Sequence, residues 1–95
     1  MAETIDELTV SYQDGGIETV QELDKVILSR GAWTTILFRY REWDRAKGTY
    51  GPDKYSIRRY QKRLGQYQLQ SKFAISSRAQ AQTLIAALQK WVEAD

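Results

Sequence analysis

The chain predicts an α+β fold, a four-stranded curved antiparallel sheet followed by one C-terminal helix in the order β-β-β-β-α. Three observations carry this reading. Residues 32–43 are dense in β-branched and aromatic side chains and contain no helix breaker. Residues 66–75 alternate apolar and polar positions at the period of a pleated strand. From Ser77 the apolar period changes to that of a helix and holds to Val92. A chain of 95 residues suits one domain, which at this size buries roughly 60–65% of its unfolded surface.

Each element follows in turn. Residues 1–16 are polar and acidic, end in Asp14-Gly15-Gly16, and read as an acidic flexible leader ahead of a single domain over 17–95. Between Ile17 and Ser29 apolar residues recur at Ile17, Val20, Leu23, Val26, Ile27 and Leu28. Val26 to Leu28 reads as strand, while the spacing of three before it also fits a helical turn. Arg30-Gly31 breaks the pattern and turns the chain. Along 32–43 successive side chains alternate, so Ile36, Phe38 and Tyr40 share one face and Trp33, Thr35, Leu37, Arg39, Arg41 and Trp43 the other. Arginines are not buried without partners, so the second set is assigned to the wet face.

Residues 44–53 read as a long polar hairpin loop. The third strand, Lys54 to Lys62, is read with Tyr55 and Ile57 inward and Arg58, Tyr60 and Lys62 outward. Arg63-Leu64-Gly65-Gln66 gives a short hairpin turn. The fourth strand places Tyr67, Leu69, Phe73 and Ile75 on the packed face and Gln66, Gln68, Gln70 and Lys72 on the wet one. Ser77 with Gln80 three residues later fits a capping box. The helix that follows has an apolar stripe of Ala81, Leu84, Ile85, Leu88, Trp91 and Val92. That stripe is wider than one small sheet requires, which predicts a homodimer through Leu84, Leu88 and Trp91.

Charge is unevenly distributed. Residues 1–24 hold seven acids and no base, whereas residues 25–72 hold twelve Lys/Arg against Glu42, Asp44 and Asp53, although the total is only +2. Most of the aromatic residues lie in the same basic middle. Cations interleaved with flat rings are what a single-stranded nucleic acid requires, charge for its phosphates and π-faces for its unstacked bases. The alternative is a protein-interaction module whose basic face binds an acidic partner or its own acidic leader.

Absences narrow the classes further. Without histidine or cysteine the chain lacks the commonest general base and thiolate or imidazole metal ligands, so an enzyme, a metal site and a cofactor are not expected. No segment has the length of a transmembrane helix, and the acidic N-terminus is unlike a signal peptide. The chemistry therefore implies a cytoplasmic protein with neither a membrane nor a small-molecule partner.

Ile36-Leu37-Phe38-Arg39-Tyr40-Arg41-Glu42-Trp43, a polar Gly-containing loop and Gly51-Pro52-Asp53-Lys54 together resemble the strand–loop segment of the eukaryotic positive-cofactor transcriptional coactivators. The β-β-β-β-α order, with Phe73-Ala74-Ile75-Ser76-Ser77 closing into an amphipathic helix, is similar to a PUR repeat and to the Whirly proteins. The resemblance implies a superfamily of single-stranded-DNA-binding transcriptional regulators that dimerise through helices and grip nucleic acid on curved sheets. It implies DNA contact for Arg41, Trp43 and Lys54. Strand parity adds Trp33, Arg39, Arg58, Tyr60, Lys62 and Lys72, with single-stranded DNA or RNA as the partner and low sequence specificity.

Overall fold

In the computed structural model, which describes residues 2–94, six strands form one antiparallel sheet and a single helix ends the chain. The strands are β1 (Tyr12–Asp14), β2 (Ile17–Ser29), β3 (Trp33–Asp44), β4 (Thr49–Tyr50), β5 (Lys54–Arg63) and β6 (Gln66–Ile75), and the helix is α1 (Arg78–Glu93). The spatial order is β1-β2-β3-β5-β6, with β4 pairing the end of β3. The four long strands are those read from the sequence. The expected count of four is corrected to six, because Gly15-Gly16 turns the chain back on itself to make β1, and Gly48 folds Thr49–Tyr50 onto Trp43 and Asp44. Met1 and Asp95, the outer limits of the leader and of the 17–95 domain, lie outside the described residues.

The spacing of three in β2 has a strand explanation. The ladder to β3 is interrupted between Glu22 and Asp24 and again between Ile27 and Ser29. Each bulge resets the alternation, so Val20 and Ile27 reach one face and Val26 the other.

Register divides the sheet into two faces. Phe38 lies opposite Ser56, Ile36 opposite Arg58 and Thr34 opposite Tyr60, and directly paired side chains share a face. Thr34, Ile36 and Phe38 are fully buried, Ser56 is buried and Tyr60 is only 5% exposed. The reading of β5 is therefore inverted: Tyr60 points into the core with Arg58 beside it, while Tyr55 and Ile57 occupy the opposite face. β6 is corrected for a related reason. A bulge opposite the Arg59–Tyr60 step makes Tyr60 pair Leu69 while Ile57 pairs Phe73, so Tyr67 and Leu69 lie on one face and Phe73 and Ile75 on the other.

What buries the first of these faces is the N-terminal segment, here called the strap. The sequence suggests a mobile leader, but residues 2–10 cross the sheet and place Leu8 (6% exposed) and Val10 (7%) against Ile36, Phe38, Tyr60 and Tyr67. A 3-10 turn at Ile5–Glu7 shapes the strap. The Glu7 carboxylate accepts from the Thr4 hydroxyl at 2.9 Å and the Thr4 amide at 3.0 Å, which holds its carboxyl below the usual carboxylate range. The Lys25 ammonium donates to the backbone oxygens of Asp6 at 2.9 Å and Leu8 at 2.8 Å, and the Tyr67 amide donates to Ala2 at 2.8 Å. Apolar burial and backbone capture, rather than acid–base pairing, attach it.

On the second face α1 begins as its sequence dictates. Ser77 Oγ accepts from the Gln80 amide at 3.1 Å, and Gln80 Oε1 reaches back to the Ser76 amide at 2.7 Å. The helix then stands off the sheet, and none of its residues is buried. The radius of gyration, 15.3 Å, exceeds the about 12 Å of a close-packed chain of this length. A groove of about 570 Å³ separates helix from sheet, lined by Leu28, Leu37, Ile57, Leu84, Ile85 and Leu88 among others.

Candidate functional site

The nine residues read as one binding surface are divided between the two faces. Trp33, Arg39, Arg41 and Trp43 lie on the helix face. Lys54, Arg58, Tyr60, Lys62 and Lys72 lie on the strap face, as their partners in the ladder require. A basic strip over all nine is thus not what the fold builds.

On the helix face the cations are already engaged. Arg59 lies over the Trp33 ring at 4.2 Å from its centroid, and Arg41 over Tyr50 at the same distance. Arg41 Nε also donates to Gln21 at 2.6 Å, and Arg39 pairs with Asp53 at 3.7 Å. Trp43 meets Tyr50 edge-on at 5.1 Å. Trp33 and Trp43 sit at opposite ends of β3 on this face. Arg59 and Tyr50 are contacts of these residues that parity alone missed. Arg58-Arg59 sends one arginine to each face, and only the register of β5 tells which goes where.

The strap face is different. At the end of β5 where the strap does not reach, Lys54, Arg58 and Lys72 form a row, with Lys72 directly opposite Arg58. Lys54 is paired with Glu42, and that carboxylate raises the ammonium pKa above its ordinary value. Neither Arg58 nor Lys72 forms an ion pair among the described residues. Arg58 lies beside the Tyr60 hydroxyl, yet its Nε is buried with no hydrogen-bond partner. Glu22, the other carboxylate on this face, accepts from Thr9 of the strap at 2.7 Å. Burial pushes the Tyr60 phenol above its ordinary pKa, an effect that Arg58 opposes in part.

A recess of about 620 Å³ at the sheet end joins this row to an aromatic ring, since Trp43 and Lys54 both line it, with Glu42, Asp44 and Arg45. Of the predicted residues the recess itself brings together Trp43 and Lys54, which reach it from opposite faces at the sheet end, while Arg58 and Lys72 stand next along the strap face. Tyr60 is core, Lys62 stands over the Tyr67 ring at 5.4 Å toward the far end, and Trp33, Arg39 and Arg41 are elsewhere. Among the described residues there is no cluster of three or more acidic, histidine or cysteine ligands and no helix long and apolar enough to cross a membrane. Set against protein-family models, curated proteins and solved structures, the chain matches none of them.

Proposed function

We propose that this chain is a single-stranded nucleic-acid-binding module of low sequence specificity, with DNA the substrate to test first. The observation that carries the reading is the Arg58–Lys72 pair. Like charges directly opposite one another destabilise a sheet, and a buried guanidinium N–H without a partner adds to that cost. An anionic ligand bridging the two side chains relieves the repulsion between them. A phosphate chain laid along Lys72, Arg58 and Lys54 leads to the Trp43 recess, where a base finds a ring to stack on. Membership of the coactivator, PUR and Whirly superfamily is part of the same proposal, as is a role in transcription or nucleic-acid metabolism.

The alternative, a basic face satisfied by its own acidic leader, has less support. Among the described residues, Asp14 is the one of the seven acids before Lys25 that forms an ion pair, with Arg45, and none of the strap's acids pairs with the cation row. Pairing of two copies through α1 belongs to the proposal, because Leu88 (48% exposed), Trp91 (69%) and Val92 (77%) leave much of their apolar surface exposed.

Titrating tryptophan fluorescence with oligo-dT at two salt concentrations tests the binding. Three phosphate contacts on a single strand give a log–log salt slope near −2, so a fourfold rise in salt lowers affinity about 20-fold. Lys72→Gln should reduce that slope by about 0.7. No quenching at low salt and micromolar protein refutes the function.

A further inference from the structure

Leu64 breaks two rules at once. It is one of the two central residues of the β5–β6 hairpin, with φ of +51° followed by +79° at Gly65. Two positive φ values are the mark of a type I′ turn, where Asn, Asp or Gly is the usual first residue. A leucine there places Cβ against the following carbonyl, which lowers the folded-to-unfolded ratio by a factor of roughly 5 to 30. Its side chain is also fully exposed, at 103%, so no burial offsets the strain. Asparagine would fit the backbone better and water better. A residue that breaks local rules without compensation inside the fold points to a role outside it.

The surroundings identify the partner. Lys54, Arg58 and Lys62 recur every fourth residue on one face of β5, and this row runs toward the tip. Arg63 closes the hairpin, and Arg30 of the neighbouring turn lines a shallow hollow with Lys62. Two acids of the strap, Glu3 and Asp6, line the same hollow and Lys54 is paired with Glu42, so the cations of this row and its tip that remain clear of acids are Arg58 and Arg63. From Arg58 to Leu64 the strand spans about 20 Å.

We propose that Leu64 is a wedge that enters the first base step of a duplex where it meets a bound single strand. This rests on the nucleic-acid reading above and adds to it a preference for junctions. Single apolar side chains inserted between base pairs unstack and kink a duplex, and a two-residue turn is narrow enough to present one. A lipid surface fits poorly, since even a myristoyl chain gives only marginal membrane binding and this tip has one leucine.

The test uses a forked oligonucleotide carrying 2-aminopurine at the first paired position, alongside oligo-dT. The wild-type protein should bind both and raise 2-aminopurine emission on the fork. Leu64→Asn and Leu64→Gly both suit the turn, so they should fold with equal or higher thermal stability. They should keep oligo-dT affinity within about twofold and lose most of the emission change. Oligo-dT binding with no emission change on the fork, or a full change with Leu64→Asn, overturns the wedge and leaves the binding function standing. Absence of any oligo-dT binding overturns both.

Discussion

Replacing Leu8 by alanine tests whether residues 2–10 are part of the fold or a tether. Leu8 is 6% exposed and belongs to the core cluster with Val10, Ile36, Phe38, Tyr60 and Tyr67. Removing a buried leucine side chain costs about 2–5 kcal/mol. The strap is one thin layer that can settle into the space left behind, so the lower half of that range applies. For a domain of this size the total stability is only about 5–15 kcal/mol. A loss of about 2 kcal/mol should thus lower the melting temperature by at least about 8 °C and move the urea midpoint with the m-value unchanged. The control is Leu88→Ala, whose side chain is half exposed on α1 and whose effect in the isolated chain should be small. A Leu8→Ala midpoint equivalent to less than about 0.5 kcal/mol, the range of ordinary surface substitutions, would refute the packed strap and restore the mobile leader.

Removing residues 2–10 should destabilise the fold rather than simply unmask a basic face, which thermal melts of the shortened chain will show. Lys25→Met should cost about 1.5–3 kcal/mol by urea unfolding, because two charge-assisted bonds to backbone oxygens are lost. The raised Tyr60 pKa means that the folded state holds its proton longer than the unfolded state. Stability is therefore full below the unfolded pKa of about 10 and falls as the pH rises above it; urea midpoints across that range should fall less in Tyr60→Phe. Leu88→Asp should leave circular dichroism largely intact and convert a dimer to a species of 11.0 kDa in sedimentation, whereas a wild-type protein already at that mass at high micromolar concentration removes the premise.

Local rules alone determined much of this protein. The strand of residues 33–44 follows from its β-branched and aromatic density, the helix start from Ser77 and Gln80, and the tight hairpin from Leu64-Gly65 between alternating strands. Each depends on neighbours a few residues apart, and those neighbours are in the sequence. Which face of a strand is inside is not a local property here, because both sides of β5 carry rings and aliphatic residues beside cations: Tyr55 and Ile57 with Arg59, Tyr60 with Arg58 and Lys62. Only the pairing of Thr34 with Tyr60 and Phe38 with Ser56 decides between them. A single bulged residue then moves Tyr67 and Leu69 to the face opposite Phe73 and Ile75, an insertion that leaves no mark on the hydropathy pattern. The acidic strap was hidden for a further reason. Its composition is that of a solvated tail, and a few apolar residues, Leu8 and Val10 with Ala2 and Ile5 beside them, together with a lysine far along the chain hold it across the sheet. Contacts of that kind exist only once the strands are assembled, and so the face on which Arg58 and Lys72 stand side by side was a decision of the tertiary structure.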